Sequence, residues 1–135
     1  MDETGAQKKI LIVEDEVPLA KALETKLTEQ GFFVNIAGDG ELALGLVQKN
    51  TYDLLLLDIL MPKMNGLKFL EEMVQLGIEV PVIVASNLSR EDEITEAKRL
   101  GVVEYFIKSE TSLDTIINMV LKHVGSGSSG EETNI

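Results

Sequence analysis

Cysteine and tryptophan are absent from the 135-residue chain, and histidine occurs once, at His123. Without cysteine there is no disulfide scaffold, no thiolate nucleophile and no Cys-ligated metal site. A single histidine excludes a multi-histidine centre. Positive charge is scarce: 12 Lys and Arg against 23 Asp and Glu leave a formal net charge of -11. Nucleic acids and anionic membranes need basic side chains to neutralise their phosphates, so no direct nucleic-acid contact is expected. No apolar run approaches the roughly 20 residues of a membrane-spanning helix. The N-terminal MDETGAQKK has no hydrophobic segment behind its charges, unlike a secretory signal. A cytoplasmic protein without membrane insertion is the expectation.

What is present suffices for one domain. Apolar residues make up 44% of the chain, enough for an ordinary core. Residues 1–8 form a polar arm, residues 9–124 are patterned throughout, and residues 125–135 read GSGSSGEETNI, the composition of a flexible tail. There is no internal repeat. Within the patterned part, β-rich runs stand at Ile10–Val13, Phe33–Ile36, Leu54–Leu57, Val80–Ala85 and Val103–Ile107. Most are apolar throughout, which implies strands buried on both faces and hence a parallel sheet covered by helices.

The segments between them carry helical stripes: Leu19, Leu23 and Leu27; Leu42, Leu46 and Val47; Leu67, Leu70 and Val74; and Leu113, Ile116, Ile117, Val120, Leu121 and Val124. A fourth segment, 90–100, has only Ile94, Ala97 and Leu100 on its apolar side. Gly31, Gly77 and Gly101 suit left-handed helix ends. The reading is an α/β fold, (βα)5, with an open doubly wound sheet in the order 2-1-3-4-5.

The chemistry lies at the strand ends. The first run is followed by Glu14, Asp15 and Glu16, the third by Asp58, the fourth by Ser86 and the fifth by Lys108. In a parallel sheet these ends share one edge, and strands one and three flank the switch-point crevice. Glu14, Asp15 and Asp58 should therefore converge, with Ser86 and Lys108 on the rim. Crowded carboxylates either take up protons or share a cation. Oxygen-only ligands point to a hard cation, and Mg2+ fits best because it leaves room for waters and a phosphate. A carboxylate beside Mg2+ can attack a phosphoryl group. Lys108 would stabilise the transferring charge, and the Ser86 hydroxyl could donate to a phosphoryl oxygen. Taken singly, Lys108 reads equally as an exposed lysine and Ser86 as a loop serine; the set of five is what points to a site. Pro62 and Asn65-Gly66 make a rigid turn after Asp58, one that could turn the Leu60 carbonyl toward the metal.

The strings ILIVEDE, DLLLLDILMPKMNG, VIVAS and YFIK, in this order and spacing, resemble a bacterial two-component response-regulator receiver domain of the chemotaxis-regulator type. The resemblance covers nearly all of residues 8–124. It implies Asp58 as phosphoacceptor, Asp15 as a direct Mg2+ ligand, Glu14 as a ligand through water, and the Leu60 backbone carbonyl as a further ligand. It implies that Lys108 bridges to the phosphoryl group or to Asp58, that Ser86 is the switch hydroxyl, and that Tyr105 is the rotating aromatic beside it. From the residues alone, Tyr105 reads as an interface aromatic. The implied donor is a histidine kinase or histidine phosphotransfer protein, and the output a downstream protein effector bound through the helix 4, strand 5 and helix 5 face. Such a domain is a signalling phosphoacceptor with at most self-catalysed turnover, not an enzyme. His123 near the end of the last helix suits the helix dipole rather than the role of internal donor.

Two positions depart from the family pattern. Ser109 follows Lys108 where the family usually has proline, often with a cis bond. A non-proline cis bond costs ~3 kcal/mol, so a trans link and a different loop are expected. Asn87 replaces a small residue after the switch hydroxyl, which bears on phosphate lifetime. A receiver-like interaction module that is never phosphorylated is the alternative. An aspartyl-phosphate hydrolase would need an acid where Leu60 stands, and an FMN carrier a neutral phosphate loop where Glu14-Asp15-Glu16 stands.

Overall fold

The computed structural model describes residues 7–60, 64–86 and 91–125. Five strands, β1 (Lys9–Val13), β2 (Phe33–Ala37), β3 (Leu54–Leu57), β4 (Val82–Ser86) and β5 (Val102–Ile107), alternate with helices α1 (Val17–Glu29), α2 (Gly40–Lys49), α3 (Gly66–Gln75), α4 (Glu91–Arg99) and α5 (Leu113–Val124). All strand pairings are parallel and the order is 2-1-3-4-5.

Side chains of a strand alternate between the two faces of the sheet. Here each face meets helices, so both sets are apolar. Ile10, Ile12, Leu54, Leu56 and Ile83 pack with Leu23 and Leu27 of α1 and Ile116, Ile117 and Val120 of α5. Leu11, Val13, Leu55, Leu57 and Val84 pack with Ala43 and Val47 of α2 and Phe69, Leu70 and Met73 of α3. Ala97 alone of α4 is fully buried.

Local chemistry sets the helix starts. Asp39, Asn65 and Ser112 each accept a backbone N–H of the first turn, from Leu42, Lys68 and Thr115, satisfying donors the helix cannot. Gly31, Gly77 and Gly101 hold φ of 95°, 73° and 100° after α1, α3 and α4, the left-handed region that glycine enters without steric cost.

Two expectations are corrected. Leu42 and Val74 are 59% and 57% exposed. The buried stripe of α2 runs instead through Ala43 and Val47, and that of α3 through Phe69, Leu70 and Met73. The fourth strand begins at Val82 rather than Val80, because Pro81 has no N–H for the ladder; its carbonyl still accepts from Leu55 N–H. β2 and β5 are not buried throughout, since the strand order makes them the edges. Pro62 and Asn87 lie outside the described residues.

Candidate functional site

β1 and β3 pair directly, with Val13 opposite Leu57. The chain leaves β1 toward β2 and leaves β3 toward β4, so the crevice opens above this pair. The backbone fixes the residues that follow. Glu14 N–H donates to the Ala37 carbonyl at 3.0 Å and Asp58 N–H to the Val13 carbonyl at 2.9 Å. Glu14 and Asp58 are buried, while Asp15 is exposed. Carboxylate oxygens of all three lie within 4.8 Å of one another.

Lys108 reaches this cluster from the end of β5. Its Nζ lies 3.1 Å from Glu14 Oε2, 3.0 Å from Glu16 Oε2 and 3.3 Å from Asp58 Oδ2. The residues after β5 form a 3-10 turn, Lys108–Glu110, and no described peptide bond is cis, so Lys108–Ser109 is trans as expected for a non-proline link. The Thr111 hydroxyl donates to the Ile107 carbonyl at 2.8 Å, tying that turn back to the strand. On the other side of Asp58, Leu60 N–H donates to Oδ1 at 3.2 Å, which sets the Leu60 backbone beside the carboxylate. Gly66 supports this loop: its N–H donates to the Ile59 carbonyl at 2.8 Å, and a Cβ there would lie 2.8 Å from the Asp58 carbonyl oxygen.

Burial and charge set the protonation states. Burial pushes the Glu14 carboxyl up from 4.5 to about 7, against the lowering effect of the Glu16 N–H. Burial also raises Asp58, more than the Lys108 charge lowers it. Apolar side chains beside them, Ile12, Leu56, Ala85 and Phe106, line the same cavity of ≈ 100 Å³ as Glu14, Asp58 and Lys108. Burial alone would lower Lys108, but bonds to Glu16 and Glu14 and the charge of Asp58 raise it above its ordinary value. The lysine therefore stays cationic beside a Glu14 carboxyl that takes up its proton near neutrality.

The oxygen set accommodates a hard divalent ion. At metal–oxygen distances of 2.0–2.1 Å, two ligands of one octahedral ion lie about 2.9 Å apart when adjacent and about 4.2 Å when opposite. Oxygens within 4.8 Å need only small side-chain rotations, or one intervening water, to meet that geometry.

Ser86 and Tyr105 are brought together beside this cluster. Ser86 ends β4, fully buried, and Tyr105 sits on the neighbouring β5. The Tyr105 hydroxyl and Ser86 share a hydrogen bond; burial raises the phenol nonetheless, helped by the charges of Glu93 and Asp58. Glu93, on the first turn of α4, has a buried Oε1 with no hydrogen-bond partner among the described residues.

His123 stands apart, with Nε2 3.0 Å from Glu104 Oε2, an oxygen that Lys122 also contacts at 3.1 Å. Two contributors escape a sequence reading. Glu16 gave no signal beyond standing third in an acidic run, and Glu93 none at all. Among the described residues, no helix is long and apolar enough to cross a membrane.

Comparison with known proteins agrees with this geometry. Residues 10–121 match the family model described as the response regulator receiver domain. The chain is 40% identical over 113 residues to the Regulator of RpoS of Escherichia coli (strain K12), covering 84% of this chain and 34% of that protein. It is 36% identical over 118 residues to the probable transcriptional regulator ycf27 of Guillardia theta, covering 86% of this chain and 46% of the relative. The chain thus spans less than half the length of either. Among solved structures, the Francisella response regulator 1452 receiver domain superposes with a TM-score of 0.80 at 31% identity, covering 87% of this chain and 96% of that one. A chain of the CheX-CheY-BeF3-Mg complex from Borrelia burgdorferi gives 0.78 at 28% identity, covering 85% and 87%. Strand order, the acidic crevice and the matched span together make this chain a member of the response regulator receiver domain family of two-component signalling.

Proposed function

We propose that the chain is a phosphorylatable switch. Asp58 accepts a phosphoryl group from a histidine kinase or histidine phosphotransfer protein, with Mg2+ as cofactor. The changed α4–β5–α5 face then binds a downstream protein effector. One observation carries the reading: a buried ammonium, Lys108 Nζ, 3.3 Å from the buried Asp58 Oδ2, beside carboxylates gathered within 4.8 Å. The similarity to a chain from a complex with BeF3 and Mg supports it.

In the transfer, an Asp58 oxygen forms a bond to phosphorus while the phosphorus–nitrogen bond of the donor phosphohistidine breaks. The imidazole leaves with the electron pair and takes a proton from solvent. Asp15, Asp58, the Leu60 carbonyl and, through water, Glu14 would hold Mg2+, which would supply charge neutralisation on the transferring group. Lys108 donates to the same group from the other side, and Leu60 N–H keeps Asp58 oriented. A dianionic phosphoryl oxygen is a stronger acceptor than a phenol, so Ser86 turns from Tyr105 toward it. Tyr105 then re-seats against α4, which one fully buried residue anchors and which shifts at low cost. The chain modifies only itself, acts in the cytoplasm, and with its acidic surface makes no direct contact with nucleic acid.

Intact mass after incubation with a small-molecule phosphodonor and Mg2+ tests this. Wild type gains one phosphate and Asp58→Ala gains none. No gain in the wild type would instead make the chain an interaction module switched by binding alone.

A further inference from the structure

An ammonium has three N–H donors, and in Lys108 all three are taken by Glu14, Glu16 and Asp58, at 3.1, 3.0 and 3.3 Å. Two of these partners are buried, with side chains 4% and 5% exposed, whereas Glu16 is 58% exposed. Glu16 is also the N-cap residue of α1, yet its side chain makes no cap hydrogen bond. It reaches across to Lys108 instead. Its own N–H donates to Glu14 Oε2 at 3.1 Å, so the loop after β1 is pinned with Glu16 over the lysine.

A group arriving on Asp58 needs a donor from Lys108, and none is spare. Releasing Glu14 would strand a buried carboxylate, and so would releasing Asp58 until its bond to phosphorus has formed. Releasing Glu16 exposes to water a group already mostly in water, at little cost. We propose that Glu16 is a positioning residue that occupies the third donor of Lys108 in the resting state and yields it to the incoming phosphoryl group. The acid thereby holds the lysine in place and competes with the anion for it. This rests on the phosphoacceptor reading of Asp58.

Titration of the full chain with beryllofluoride, a tetrahedral phosphoryl analogue, at saturating Mg2+ tests it, read by 19F NMR. Glu16→Gln removes the charge; Glu16→Asp keeps the charge but withdraws the carboxylate by one methylene. Both are expected to tighten beryllofluoride binding about two- to fivefold, the worth of an exposed ion pair. Both are also expected to shift the Lys108 Nζ resonance of the resting protein. Binding unchanged or weakened in Glu16→Gln, an unmoved Nζ resonance, or tightening in Glu16→Gln alone would overturn the proposal; the last would mean that only the distant charge matters. A wild type that takes up no beryllofluoride would overturn the phosphoacceptor reading itself.

Discussion

Replacing Glu14 by Gln should stabilise the metal-free protein at neutral and alkaline pH and do less in mild acid. The Glu14 carboxyl is raised from 4.5 to about 7, with burial the main cause. Between those two values the native state binds more protons at this position than the unfolded chain, so stability falls as pH climbs through the window and levels off above about 7. Full ionisation costs about 3 kcal/mol, since each tenfold change in proton affinity is worth roughly 1.4 kcal/mol. The glutamine oxygen can still accept the Glu16 N–H that now bonds Glu14 Oε2, so most of that cost is relieved. Between pH 5.5 and pH 8 the wild type should lose about 2 kcal/mol that Glu14→Gln retains, roughly 8 °C in Tm for a domain of this size. Urea denaturation followed by far-UV circular dichroism, with EDTA present, measures both proteins at both pH values. A stability gap that does not widen with pH would refute the argument, and so would a variant less stable than wild type at pH 8.

Two further pairs of substitutions test the packing. Leu57→Ala, at a position with no exposure, should cost about 2–5 kcal/mol in urea denaturation, while Leu42→Ala, 59% exposed, should stay within about 0.5 kcal/mol of wild type. On α2, a Cβ at Gly40 would collide with the Met64 carbonyl oxygen, whereas no described residue lies within 4 Å of one at Gly45. Gly40→Ala should therefore destabilise by about 1–3 kcal/mol, and Gly45→Ala, gaining helix propensity alone, should stabilise by about 0.5–1 kcal/mol; equal effects at the two positions would refute the close approach.

Much of the fold is legible in unbroken runs such as Leu54–Leu57. A strand apolar on both faces demands cover on both, which leaves a parallel sheet with helices on each side. The same logic misplaces residues at the margins. Leu42 and Val74 fit a helical stripe by spacing, yet Ala43 and Met73 are the buried ones. Hydrophobicity says that a residue can be buried, and only the neighbouring helix decides whether it is. Glu14, Asp15 and Asp58 were readable as a cluster because parallel strands deliver their C-terminal ends to one edge. The strand ends put Lys108 on the rim, but its bonds to Glu14 and Glu16 were not readable, since they depend on a 3-10 turn and on Thr111 bonding back to Ile107.

Sequence alone determined the alternation of strand and helix, the parallel sheet and the shared edge of its acidic ends. These follow from local periodicity and from the side-chain direction each strand imposes. Tertiary structure decided how far those acids are desolvated, which partners Lys108 holds, and that Glu16 is one of them. Such properties depend on distances between residues up to 94 positions apart in the chain. Local spacing carries no information about those distances, and the dielectric around a charge exists only once the core has closed beneath it.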